Sequence, residues 1–292
     1  MYQSGRLILQ NSLRTGFRYR GPITTVIGDW SGTFADKGSL APKKAVQQTF
    51  SFFGVDLSVE EAGAPMGVRK DEHVRQIFKI PRVKTMWVDE HKRLPDDTDI
   101  SMVYDHLVTT QLKILPSYTS VIPGVVDTVR HLKKDRGIKV GLTTGFTKAM
   151  SDILAKSASK QGLVLDCIVA GDEVVNGSRP YPNMLYKNMC LLGTENIHSV
   201  VKVDDTVAGI KEGLNAGCWT VGVRRWSTYT NYNSIEQMDQ ASSEEIAMRA
   251  LVAGEKLYKS GAHFVVNDVT ELPQVIDKIN NLLKEGVHPD EC

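Results

Sequence analysis

Short apolar runs rich in β-branched residues alternate along this chain with segments whose apolar positions recur every three or four residues. The first kind predicts strands over Thr24–Trp30, Lys139–Thr144, Cys167–Ala170, Ser199–Asp205, Trp219–Val223 and His263–Val266. The second predicts helices over Val125–Lys134, Thr147–Lys160, Thr206–Ala216 and Leu272–Glu285, with Gly217 and Gly286 placed to end the last two. Apolar strands separated by amphipathic helices are the pattern of an α/β fold, a Rossmann-like parallel sheet covered by helices.

About a hundred residues separate the first two strands, where a crossover between parallel strands needs only a dozen or so. Helical periodicity recurs there over Lys43–Phe53, Val59–Gly63, Arg69–Phe78, Arg82–His91 and Ile100–Leu115. Gly54, Pro65, Pro81 and Pro95 punctuate these pieces, and Pro116 and Pro123 mark the return to the sheet. The expected organisation is a discontinuous α/β core, residues 21–40 and 120–292, carrying a helical cap at 41–119. Residues 226–260 are polar and give only a helix near Ser243–Lys256.

Residues 1–20 stand apart. Arg6, Arg14, Arg18 and Arg20 occur there without any acidic residue, among Leu7, Ile8, Leu9, Leu13 and Phe17. That composition fits either a transit peptide or a disordered N-terminal tail, so a cytoplasmic or mitochondrial location is expected. Lys and Arg (35) nearly balance Asp and Glu (34), which leaves no global basic field. Nucleic acid is therefore not an expected partner, and any anionic ligand must be held by local geometry. No apolar run reaches the roughly 18 residues a membrane span needs, so no membrane partner is expected either. The cysteines, Cys167, Cys190, Cys218 and Cys292, form no CxxC pair and read as buried free thiols of a reducing compartment.

The strand ends carry the chemistry. The first strand runs into Asp29-Trp30-Ser31-Gly32-Thr33, and the carboxyl end of a strand in an open sheet is where reactive groups gather. Asp29 can attack phosphorus and form an acyl phosphate, splitting one hard displacement into two easier ones. Two anions approach only with a cation between them. Asp205, at another strand end, can supply a second carboxylate for Mg²⁺, and the backbone carbonyl of Ser31 a third ligand. Thr143 or Thr144, with the amide of Gly145 before a helix, can hold phosphate oxygens, and Arg179 can neutralise them.

Asp29, Thr143-Thr144-Gly145, Arg179 and Asp205, in that order, resemble the four motifs of the haloacid dehalogenase superfamily over roughly residues 24–225. Most phosphatases of that superfamily have an acid–base aspartate two residues after the nucleophile. Here that position is Ser31, whose hydroxyl cannot protonate a leaving alkoxide near neutral pH. The cap offers other chemistry. In Ala64-Pro65-Met66-Gly67-Val68-Arg69-Lys70-Asp71-Glu72-His73, Lys70 and His73 fall on one helical face, and Met66 lies one turn earlier. A neutral lysine amine condenses with an aldehyde to a protonated imine, an electron sink that lets a carbon–phosphorus bond break. His73 can relay protons while the imine forms.

This lysine segment, Ser178-Arg179-Pro180-Tyr181-Pro182 and Lys202-Val203-Asp204-Asp205-Thr206 resemble the phosphonoacetaldehyde hydrolase family, the phosphonatases. The resemblance implies a Mg²⁺-dependent hydrolase of a small phosphonate, with Lys70 forming the imine and Asp29 taking the phosphoryl group. It also implies a homodimer paired through the caps. Three positions depart from the family pattern: Ser31 replaces Ala, Phe146 replaces Tyr, and Gly209 replaces the second aspartate of the fourth motif. Asp204 replaces a usual glycine, but adjacent strand residues point to opposite faces, so it is not expected to reach the place of the missing carboxylate. Two alternatives stay open. One is a phosphatase of the same fold acting on another small phosphorylated metabolite, which Ser31 argues against. The other is a degenerate, non-catalytic member, with Gly209 its only support.

Overall fold

Thr25–Gly28 forms β1, buried at all four positions, at the centre of a six-stranded parallel sheet. The other strands are β2 (Lys139–Thr144), β3 (Cys167–Ala170), β4 (Val200–Asp204), β5 (Trp219–Val223) and β6 (Phe264–Val266). Their spatial order is β3-β2-β1-β4-β5-β6. All six expected strands form, several shortened by one or two residues at an end. The structure, a computed structural model, describes residues 18–175 and 178–292. The segment set apart at 1–20 lies outside the described residues as far as residue 17.

This order reverses at β1. The chain steps outward through β2 and β3, then returns to build β4 on the opposite side, opening a crevice at the carboxyl ends of β1 and β4. The register pairs Gly28 with Leu142 and Ile27 with Lys202. Continuing it one and two residues brings Asp29 level with Thr143 and Asp204. Topology and register together assemble the predicted motifs at one edge of the sheet.

Five helices fill the long segment between β1 and β2: α1 (Leu40–Phe52), α2 (Val59–Gly63), α3 (Lys70–Ile77), α4 (Pro81–His91) and α5 (Asp97–Ile114). Ser58 and Glu61 form a reciprocal capping box at the start of α2, and Asp96 and Asp99 do so at α5. These helices bury an apolar cluster of their own, including Val46, Phe50, Val74, Ile77, Phe78, Trp87 and Leu107. Trp87 meets Phe78 edge-on with ring centres 4.8 Å apart. Truncating that indole to Ala would cost about 3–5 kcal/mol.

Among the described residues seven more helices belong to the core: α6 (Val125–Lys134), α7 (Lys148–Lys160), α8 (Asn183–Leu192), α9 (Val207–Ala216), α10 (Ile235–Gln240), α11 (Ser243–Lys259) and α12 (Leu272–Glu285). The last buries Leu272, Val275, Ile276, Ile279 and Leu283 along one face and stops at Gly286, at φ 85°. Helices α8 and α10 go beyond the elements expected from sequence. No helix among the described residues is long and apolar enough to cross a membrane. The expectation of buried thiols holds only for Cys218. Cys167 is half-buried, and Cys190 and Cys292 are exposed, Cys190 because it falls on the outer face of α8.

Candidate active site

A narrow cleft opens between the carboxyl edge of the sheet and the inserted helices. Asp29, Ser31, Met66, Lys70, Thr144, Gly145 and Arg179 line it together, and Gly67, Phe146 and Thr206 are among the other wall residues. Asp29 and Arg179, 150 positions apart, thus share one concavity. Thr143, His73 and Asp205 are not on its lining.

Asp29 leaves β1 into a turn in which the Gly32 amide donates to the carbonyls of Ala35 (2.8 Å) and Asp36 (2.9 Å). Gly32 sits at φ 78°, and a Cβ there would collide with the Asp205 carboxylate. Only glycine lets this turn lie against Asp205. Burial pushes the Asp29 carboxyl up to about 6, with the charge of Arg179 opposing the rise.

The Arg179 guanidinium is wholly buried. Its Nη2 donates to Asp29 Oδ1 (2.7 Å), the Thr143 carbonyl (2.7 Å) and Thr143 Oγ1 (2.9 Å); its Nε donates to Glu212 Oε2 (3.0 Å). Lys202 donates to Thr143 Oγ1 (2.6 Å) and lies 3.0 Å from Glu212 Oε2. Thr143 Oγ1 in turn donates to Glu212. Thr143 therefore positions Arg179 and leaves the cleft to Thr144, because adjacent residues of a strand face opposite ways. Sequence reasoning missed Lys202 and Glu212. The signal for Lys202 was a charge within the apolar run Val200-Val201-Lys202-Val203, since a charge in such a strand is buried only with a partner.

Asp205 accepts from the Thr228 amide (2.7 Å) and the Thr33 hydroxyl (3.3 Å). Burial first, and then the charges of Asp204 and Asp29, drive its carboxyl well above the ordinary range. One oxygen from each of Asp29, Asp204 and Asp205 lies within 4.8 Å of the others, and all three residues are buried. Such crowding is what a hard divalent cation relieves, and an all-oxygen donor set suits one. The expectation for Asp204 is corrected here. Strand β4 ends at Asp204, so Asp205 lies beyond the ladder and the rule of opposite faces does not extend to it.

Lys70 opens α3, where Asp71 and Glu72 complement the helix dipole. Its own ammonium stands at the positive end of that dipole. Burial lowers it to about 8, against the opposing pull of Asp29. His73, one turn on, is fully buried and bonds the Ala62 carbonyl through Nε2 (3.0 Å), leaving Nδ1 without a hydrogen bond. Burial, with the charge of Lys70 adding to it, pushes the imidazole down to about 3, so it is neutral near pH 7.

A family profile described as haloacid dehalogenase-like hydrolase matches residues 26–223. A phosphonoacetaldehyde hydrolase of Paraburkholderia xenovorans is 39% identical over 269 residues, 91% of this chain and 99% of that protein. One from Bacillus cereus strain AH820 is 40% identical over 257 residues, 88% of this chain and 96% of its own. The crystal structure of a phosphonoacetaldehyde hydrolase-like protein from Oleispira antarctica superposes with a TM-score of 0.90 at 34% identity, covering 94% of this chain and 99% of that one.

Proposed function

The chain belongs to the phosphonoacetaldehyde hydrolases, within the haloacid dehalogenase-like hydrolases, and from that premise we propose that it cleaves phosphonoacetaldehyde to acetaldehyde and phosphate. The observation that carries this reading is that a buried lysine with a lowered pKa and a strand-end aspartate line one cleft. An ester phosphatase needs no amine there.

The amine of Lys70 adds to the aldehyde carbon and water leaves, giving a protonated imine. A carboxylate oxygen of Asp29 then attacks phosphorus as the carbon–phosphorus bond breaks, and its electron pair flows into the imine to leave an enamine. Water hydrolyses the aspartyl phosphate and restores Asp29. Protonation of the enamine carbon, then hydrolysis of the imine, releases acetaldehyde and returns Lys70. No oxygen leaving group needs an acid, consistent with Ser31 in place of a second aspartate. His73 shares a helical face with Lys70 but lies off the cleft lining, so a proton relayed from its unbonded Nδ1 would pass through the Lys70 nitrogen. Arg179, Thr144 and the Gly145 amide hold the phosphonate oxygens, and Met66 bounds the aldehyde end.

Asp29, Asp205 and the Ser31 carbonyl would hold Mg²⁺, which neutralises the phosphonate so that a carboxylate can approach it. Two copies pair through the inserted helices, which sedimentation velocity tests. Incubating the purified chain with phosphonoacetaldehyde and Mg²⁺ tests the activity: acetaldehyde and phosphate appear in equal amounts. Phosphate release from esters without turnover of the aldehyde contradicts it.

A further inference from the structure

Lys70 and Phe146 border a second cavity besides the cleft, and its wall also includes Arg69, Asp71, Tyr104 and Asp172. Asp29, Thr144 and Arg179, the groups that engage a phosphonate, are not on this wall. The Lys70 side chain is thus common to a space equipped for a phosphonate and to one that is not.

Burial falls along this wall. Phe146 and Lys70 are 3% and 4% exposed, Tyr104 is half-buried and Asp172 is exposed. A cavity graded in this way leads from the amine toward solvent. Its outer end is acidic. Arg69 donates to both oxygens of Asp71, through Nε (2.7 Å) and Nη2 (2.6 Å), so its charge is spent within the pair. Asp172 accepts the Lys148 amide (2.8 Å), while the Lys148 ammonium pairs with Asp152. Two carboxylates therefore face one guanidinium. Burial, and then the charges of Asp71 and Asp172, raise the Tyr104 phenol above its usual range, so the middle of the wall stays uncharged.

Imine chemistry on Lys70 needs traffic of a particular kind. Condensation expels one water, and hydrolysis of the product imine takes one back. In that hydrolysis the water oxygen becomes the aldehyde oxygen, the C–N bond breaks, and both water protons end on the Lys70 nitrogen. Water and acetaldehyde are small and neutral. Phosphonate and phosphate are anions, which a surplus carboxylate repels.

We infer that the second cavity is the passage for the neutral species of the reaction: water reaches the imine and acetaldehyde departs through it, while the anions use the cleft. This rests on the imine reading of Lys70 and assigns Asp71, Tyr104 and Asp172 to a wall that sorts by charge.

Two reductants of opposite character test the passage. Asp29→Asn loaded with phosphonoacetaldehyde keeps the phosphonate in the cleft, and reduction of its imine leaves a phosphonoethyl adduct on Lys70 that peptide mass quantifies. Each rate is divided by that of the same reductant with a free alkyl imine in solution. Neutral dimethylamine–borane should then outpace anionic cyanoborohydride by about tenfold, the effect of one screened charge several ångströms away. Adding Asp71→Asn should bring the two rates together, because Arg69 then balances Asp172. Adding Tyr104→Trp, with its larger ring, should slow the neutral reductant severalfold. Equal normalised rates, or a preference that Asp71→Asn leaves intact, overturn the inference. So does a Tyr104→Trp chain that melts as the parent does and is reduced as fast. Absence of any Lys70 adduct with either reductant overturns instead the imine reading on which the inference rests.

Discussion

The Lys70 Nζ stands 4.8 Å from the centre of the Phe146 ring. That ring acts on the amine in two opposing ways. Its face attracts an ammonium by about 1–2 kcal/mol, while its bulk helps exclude the water an ammonium prefers. Burial wins, since the pKa falls from 10.5 to about 8, a change worth about 3 kcal/mol. The amine is thereby brought within reach of neutrality without losing its place in the cleft.

The pH dependence follows. Only neutral amine adds to an aldehyde, so log kcat/KM should rise with unit slope as pH increases toward about 8 and level off above it. Steady-state rates between pH 6.5 and 9 check this. A flat profile across that interval contradicts a kinetic role for the amine.

A lysine held below its unfolded pKa costs folding free energy while it is charged. Stability is lowest below about pH 8 and is regained as pH rises from there toward 10.5. Lys70→Met should therefore stabilise the chain by about 3 kcal/mol at pH 7, with the gain over the parent shrinking toward pH 10.5. Urea denaturation at the two pH values measures it, and equal stabilities at pH 7 contradict the cost assigned to this burial.

Asp29→Asn keeps the shape of the nucleophile and removes its reactivity. Phosphate release should fall by about three orders of magnitude or more, while the imine on Lys70, formed before phosphorus is attacked, still accumulates. Rapid-quench assay of phosphate, with reductive trapping on the same sample, separates the two halves.

Gly67, in the loop between α2 and α3, rests against the core. It lies at φ 95°, its carbonyl accepts from Arg179 Nη1 (3.3 Å), and a Cβ would press on Thr206 and Ala208. Gly67→Ala should lower kcat/KM at least about tenfold, equivalent to roughly 1.4 kcal/mol, by holding Lys70 away from Asp29. An unchanged kcat/KM would show that this contact does not set the geometry.

The sheet was legible because its strands are buried on both faces and so read as unbroken apolar runs. Helix α8 was not. Pro182 directly before it and the polar Asn183, Lys187 and Asn188 mask the periodicity of Met184, Leu185, Met189 and Leu192, all of which are buried. Helix α10 is a single short stretch that buries only Met238. In the site, Asp29, Arg179 and Asp205 could be read at strand ends and turns, and Lys70 from its segment. The links from Arg179 to Glu212 and from Lys202 to Thr143 join positions 33 and 59 residues apart, which only the folded topology brings together. The place of Asp204 was misjudged because period-two alternation holds inside a strand and lapses where the ladder ends.

Reductive trapping tests the central claim most directly. The chain, incubated with Mg²⁺ and phosphonoacetaldehyde, is treated with borohydride and mapped by peptide mass. A single two-carbon adduct should appear on Lys70, with loss of activity in proportion. Lys70→Arg should give neither adduct nor turnover, since a guanidinium stays charged and forms no imine. Full phosphonate cleavage by Lys70→Arg, or trapping only at other lysines, would contradict the account.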